Sequence, residues 1–400
     1  MGRMAGNRMG RWAYAAALSL ALGAFAVGTA AAQEPIKIGW LPALTGPLSS
    51  ASIAEDKGAQ FAVDEINAAG GINGRKLLLV TRDTEGNPTK AVNFAQQLVL
   101  SEKVQFAIGP VNSGESLATL PIIAKAGIPN IIVSAVDDLI GVDKYPRAFR
   151  TINTNEQWID ASLDYLLNVL KRRKIAIIGE TSGYSVSSIK SITGKLAAAG
   201  IQPVSSSIVD ANKTDLTDEI NTARQAGADV LLTWTGAVGV HARVLNARGN
   251  TGWDVPVVAQ VGILAFPVKA LVNKPSYLDN VYAAGYAGTT YNAKGELPPA
   301  TAAFIKAIGS RLGEPGKIEY TMWQVALGYD CVKVIEHAVR KAGSTDGAAI
   351  QKALEETRDL KGVFGTYSWG PRERNGVRNL DIVINLANSY KDGNFMVAPR

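Results

Sequence analysis

"IKIGWLPALTGPLSSASIAEDKGAQFAVDEINAAGGINGRKLLLV", residues 36–80, holds two apolar runs on either side of one long amphipathic segment. An apolar run passes through the small polar loop Thr45-Gly46-Pro47-Leu48-Ser49-Ser50 into a stretch of helical period. There Ile53, Phe61, Ala62, Ile66 and Ala69 fall largely on one face. Ser50 or Ser52 is expected to cap that helix, and Gly70 or Gly71 to supply a left-handed exit. A second apolar run follows at once. Strand, helix and strand at this spacing form a crossover between parallel strands.

Working outward, the same alternation recurs along the chain. Strands are expected over 36–43, 76–83, 104–111, 130–135, 174–180, 204–209, 230–234 and 256–261. Helices are expected near 53–69, 89–101, 116–126, 155–170, 186–199, 215–225 and 238–248, with exits at Gly127, Gly200 and Gly227. The series breaks near 150–155, which predicts an α/β protein of two doubly wound lobes. The remaining helices and short strands, from about Val281, are too few for a third domain. They are expected to complete the first lobe, with 360–369 and 380–386 as its final strands.

Length and composition allow two ordinary domains: 400 residues, 47% hydrophobic and 19% charged. The N-terminus carries Arg3, Arg8 and Arg11, then an uncharged run from Trp12 to Ala32 ending in three alanines. That is the pattern of a secretory signal peptide over residues 1–32, cut near Ala32/Gln33. A retained membrane anchor is the competing reading, because the run is long enough to span a bilayer. Cys331 is the only cysteine, so no intramolecular disulfide forms, and it reads as a buried small hydrophobe. The formal charge is +6, half of it from the three arginines of the signal. Such a balance gives no basis for nucleic-acid binding, and the run Lys171-Arg172-Arg173-Lys174 reads as a solvated helix-to-strand turn.

Several chemistries lack their residues. No two glycines are spaced G-x-G, and neither Gly194-Lys195 nor Gly316-Lys317 continues into Ser or Thr, so both nucleotide fingerprints are missing. His241 and His337 are the only imidazoles, without partners at metal spacing, and both read as surface or edge-of-core histidines. No G-x-S-x-G elbow is present. Neither a cofactor nor a metal is expected.

The opening stretch, continued as "LLLVTRDTEGNPTKAVNFAQQLV", together with "VQFAIGPVNSGESLATLPIIAKAGIPNI", "KIAIIGETSGYSVSSI" and "GYDCVKVIEHAVRKAG", resembles the periplasmic leucine/isoleucine/valine-type solute-binding proteins of ABC importers. The resemblance runs from about Ile36 to Leu386. It implies two Rossmann-like lobes, residues 33–153 plus 286–366 and residues 154–285 plus 367–400, joined by crossings near 151–155, 284–287 and 365–368. The solute sits between the lobes, at the carboxyl ends of the strands.

Carried over by position, the first-lobe site comprises Leu48 and Ser49, Asn112 and Ser113, then Ser134, Ala135 and Asp137. The resemblance gives Ser113 the ligand carboxylate, although it would also serve as a helix cap. The second lobe supplies Tyr184, packing over the solute, with Thr235, Gly236, Gln260 and Val261, while Asn155 and Trp158 follow the first crossing. Two positions depart from the family pattern. Ala51 replaces a common aromatic, and the acid that meets a ligand ammonium falls near Val261, beside Gln260. An unpaired buried ammonium is costly. Unless Asp137 substitutes for that acid, the pattern favours a small organic acid or amide over a branched-chain amino acid.

The resulting expectation is a monomeric periplasmic receptor that hands its solute to an inner-membrane permease and performs no covalent chemistry. The alternatives are the sensing component of a signalling system, and an exported hydrolase using a cleft serine such as Ser113.

Overall fold

The structure, a computed structural model, describes residues 1–2, 33–46, 49–135, 137, 141–314, 316–378 and 381–400. The expected signal segment, apart from its first two residues, and Leu48 lie outside the described residues. β1 (Ile36–Trp40), β2 (Leu77–Thr81), β3 (Phe106–Ile108), β4 (Asn130–Ile132) and β5 (Ala148–Arg150) form one parallel sheet in the order β2-β1-β3-β4-β5. A second sheet contains β6 (Ile175–Glu180), β7 (Ser205–Val209), β8 (Val230–Trp234), β9 (Val257–Ala259), β10 (Val281–Tyr286) and β11 (Ile382–Leu386). Its order is β11-β10-β9-β8-β6-β7, and β11 alone runs antiparallel. Every residue of β6 and β8 is buried, as parallel strands covered on both faces must be.

Crossover helices follow the strands: α1 (Ser49–Ala68), α2 (Pro88–Leu100) and α3 (Ser113–Lys125) in the first lobe, then α4 (Asn155–Asp164), α5 (Gly183–Ala198), α6 (Thr217–Gln225) and α7 (Val238–Asn250) in the second. α1 starts at Ser49, so Ser50 and Ser52 lie inside it and are not its cap. The Ser52 hydroxyl instead accepts the Ala43 N–H at 3.1 Å, which pins the polar loop to the helix. α4 is shorter than expected. A π-turn over Tyr165–Val169 takes its last five residues.

The later helices α8 (Pro299–Ile308), α9 (Met322–Ala342) and α10 (Gly347–Glu355) return to the first lobe. α9 lies against α1 with almost no separation. A methyl on Gly58 would lie 1.8 Å from the Val325 carbonyl oxygen, and one on Gly328 would lie 1.9 Å from that of Glu55. Beside this contact Phe61, Phe304 and Tyr329 pack ring on ring, with centroids 4.9–6.0 Å apart, and so draw α8 into the same layer.

The tail departs from the expectation at two points. Ile382–Leu386 joins the second sheet, against the reading of the tail as first-lobe strands but within the second-lobe bounds that the resemblance implies, because it pairs antiparallel with β10 from Tyr282 to Tyr286. The stretch 360–369 contributes only a small hairpin, Leu360–Lys361 against Thr366–Tyr367. The third crossing also falls later than 365–368. Asn375 bridges Arg150 at the edge of β5, and the Arg374 guanidinium binds Glu355 at 2.6 Å and the Pro146 carbonyl at 2.9 Å. Trp369 stacks on Tyr367 and meets Phe149 edge-on. These contacts hold the chain on the first sheet through Val377, and it enters the second at Ile382.

Candidate functional site

The carboxyl ends of the two sheets face one another: α3, which begins after β3, and α5, which begins after β6, approach with Cα atoms within 8 Å. The first crossing supplies the floor between them. Thr154 caps α4 through a reciprocal box, its hydroxyl accepting the Gln157 N–H at 3.3 Å while the Gln157 side chain accepts the Thr154 N–H at 2.7 Å. Such a cap stabilises a helix start by about 1 kcal/mol. It places Asn155 as the first helical residue, with its N–H bonded to the Ala135 carbonyl at 2.7 Å, so that Asn155 spans both lobes.

Asn155 is the centre of a polar cluster. Its Oδ1 accepts the Tyr184 hydroxyl at 2.9 Å and the Trp234 indole N–H at 3.2 Å, and its Nδ2 donates to Ser188 Oγ at 3.0 Å. Gln260 Nε2 donates to the Tyr184 oxygen at 3.4 Å. Burial pushes the Tyr184 phenol up, so it stays protonated as a donor. Asn155, Tyr184 and Gln260, expected from sequence, therefore come together. Ser188 and Trp234 belong with them and were not expected.

The other second-lobe positions lie around this cluster. The Gly236 N–H donates to Glu180 at 3.3 Å, and a methyl on Gly236 would rest 3.6 Å from the Tyr184 ring. Thr235 is buried, and its hydroxyl accepts the Ala237 N–H at 2.9 Å, ordering the start of α7. Val261 is core. Trp158 is buried at the hinge, edge-on to Tyr286, whose hydroxyl donates to Asn153. His241 is not at the surface or the edge of the core. It is fully buried under Gln260, with Nδ1 3.2 Å from the Thr233 hydroxyl, and burial pulls its imidazole down to about 4.

In the first lobe, α3 is capped by Asn112, whose Oδ1 accepts the Gly114 N–H at 2.8 Å. Ser113 is therefore the first helical residue, not the cap, and it is half-buried at a helix N-terminus where unpaired N–H groups favour an anion. The Ser134 hydroxyl turns inward, to Ser116 at 2.8 Å, and Ser116 passes the chain on to the Pro110 carbonyl. Ser49 is half-buried at the start of α1. Asp137 accepts the Glu156 N–H at 3.3 Å, so it too serves the start of α4. Burial pushes its carboxyl up, against that bond and the charge of Arg150. Arg150 is itself fully buried, with its guanidinium pulled down to about 10 by desolvation. It ends a strand of three residues, too short for periodicity to reveal. Among the described residues no group of three or more His, Cys, Asp or Glu is placed to hold a metal ion.

Comparison with known proteins agrees with this geometry. A family model described as periplasmic binding protein matches residues 35–384. The chain is similar to Leu/Ile/Val-binding protein homolog 3 of Brucella melitensis, 27% identical over 355 residues that cover 85% of this chain and 88% of that protein. Homolog 7 of Brucella abortus is 28% identical over 347 residues, covering 84% and 85%. Among solved structures, the branched-chain amino acid transporter substrate-binding protein LivJ of Streptococcus pneumoniae, in complex with isoleucine, superposes with a TM-score of 0.79 at 24% identity, covering 91% and 99% of the two chains. A solute-binding protein of an ABC transporter from R. palustris, in complex with 4-hydroxybenzoate, gives 0.75 at 19% identity, covering 92% and 96%. The matched span takes in the first sheet, nearly all of the second and all three crossings, and the chain belongs to the periplasmic binding protein family, similar over most of its length to the Leu/Ile/Val-binding protein homologs.

Proposed function

We propose that this protein captures a small organic solute, such as a branched-chain amino acid, an amide or a small or aromatic carboxylate, between its lobes and delivers it to an ABC permease in the inner membrane. On this reading it acts as a monomer, performs no covalent chemistry, and is released into the periplasm by cleavage near Ala32/Gln33. Lobe one comprises residues 33–153 with 287–377, and lobe two residues 154–286 with 378–400. The observation that carries the reading is the Asn155–Tyr184–Gln260 cluster at the carboxyl ends of the second sheet, where the helix α5 that bears Tyr184 approaches α3 of the first lobe. Ser113, the N–H groups of the first turn of α3 and the buried charge of Arg150 suit a solute carboxylate. Ser49 and Ala51, at the start of α1, form the remaining first-lobe wall. Solute held by both lobes stabilises the closed form by contacts that the open form lacks.

Thermal melting of solute-free protein against a panel of amino acids, amides, and aliphatic and aromatic carboxylates tests this reading. One chemical class should raise the melting temperature, and Tyr184→Ala should weaken that solute's binding by about 1–3 kcal/mol through lost packing. A flat response across the whole panel would contradict the proposal.

A further inference from the structure

The second-lobe side of the cleft carries an unusual constraint in Gln260, which is 7% exposed and follows β9. Its Oε1 accepts the backbone N–H of Gly262, closing the short turn Val261–Leu264. Only an oxygen can make that bond. The carboxamide is therefore fixed with its oxygen toward the main chain and its nitrogen toward Tyr184. A methyl on Gly262 would lie 2.7 Å from Gln260 Oε1 and 3.5 Å from His241 Nε2, so the amide is held from behind as well.

Counting protons along the cluster shows what it offers a solute. Tyr184 has spent its one proton on Asn155, and Asn155 Oδ1 already accepts two donors. Gln260 Nε2 has given one proton to Tyr184 and keeps a second. The nearby carboxylates each already accept donors of the protein itself. Glu180 accepts the N–H and hydroxyl of Ser182 and the N–H of Gly236. Asp137 accepts the Glu156 N–H beside Arg150, and Glu156 binds Lys195 at 2.8 Å. His241, kept neutral by burial, adds no charge of either sign.

We infer that the second-lobe end of the cleft recognises an oxygen acceptor and not an ammonium, so that the solute is a carboxylic or 2-oxo acid without an α-amino group, with Gln260 as the specificity-determining residue. The inference rests on the solute-binding reading above. It follows from the unspent amide proton of Gln260, a donor, at a place where an ammonium would need an acceptor not already bonded within the protein.

Calorimetric titration of the solute-free mature chain with matched pairs tests it. Each pair differs only in the α-group, such as leucine against 4-methyl-2-oxopentanoate and phenylalanine against phenylpyruvate, extended to the full melting panel. In the pair that fits, the acid should bind at least tenfold more tightly than the amino acid. Gln260→Glu, which can still accept the Gly262 N–H, should weaken the acid at least tenfold and shrink or invert that preference. An amino acid binding the unmodified protein as tightly as its acid would overturn the inference while leaving solute binding intact. A preference unchanged in Gln260→Glu would remove Gln260 from the role. Should the variant fail to fold, the ratio in the unmodified protein decides. No heat from any member would sink the solute-binding reading, and this inference with it.

Discussion

Asp330 and His241 show how burial of a single residue sets the chain's response to pH. Asp330 accepts the N–H groups of Val363 and Phe364 at 2.9 Å and the Tyr367 hydroxyl at 2.8 Å, holding the hairpin loop against α9. Burial still outweighs these bonds and pushes its carboxyl up to about 6. In the unfolded chain an aspartate titrates near 4. Between about pH 4 and 6 the folded chain keeps a proton that the unfolded chain has lost, so this group's contribution to stability falls as pH rises. His241, pulled down to about 4 from an ordinary value near 6.5, acts in the opposite sense. As pH falls through that interval the unfolded chain takes up a proton that the folded one refuses, and stability is lost. Melting curves from pH 4 to 7 should therefore show Asp330→Asn gaining on the unmodified protein as pH rises, and His241→Asn gaining as pH falls. Profiles parallel to that of the unmodified protein would contradict both assignments. At this scale Tyr184, Asn155 and Gln260 are legible through the family resemblance, which carries them over by position. Ser188 and Trp234 escape because one sits a turn inside α5 and the other ends an apolar strand, where indole reads as core. His241 escapes because nothing in the local pattern of α7 reports the turn folded over it.

The elements carry a different kind of constraint, one of distance. α1 and α9 touch backbone to backbone at Gly58 and Gly328, a separation no side chain permits. Gly328→Ala should lower stability by about 1–3 kcal/mol or more, since neither helix can move without disturbing the Phe61–Phe304–Tyr329 stack. Chemical denaturation checks this, and a midpoint unchanged from the parent would mean that the helices part freely. Helical and strand periods make the crossover units readable, and the left-handed exits at Gly70, Gly127, Gly200 and Gly227 are read for the same reason. Partner choice is less readable. Ile382–Leu386 is a short, largely apolar run, and nothing local says whether its neighbour is β10 or the first sheet. β5 has only three residues, so it shows no period at all, and Arg150 at its end goes unread with it.

At the scale of the whole molecule, the two sheets are joined where Asn153, Tyr286 and the first turn of α4 meet, and the chain crosses there, after β10, and between Val377 and Ile382. On the proposed reading those crossings let the lobes swing while each sheet stays intact. On the same reading the solute acts as the bond between lobes, with Ser113 and Arg150 on one side and the Gln260 cluster on the other. Periodicity reveals that there are two lobes. What the lobes hold depends on how carboxamides and hydroxyls are oriented by distant backbone, which no single stretch of sequence encodes. Mass spectrometry of the small molecule released by denaturing natively purified protein puts the central claim to the most direct test. A single organic carboxylate without an amino group, near one equivalent per chain, is the predicted result. A stoichiometric α-amino acid would contradict it.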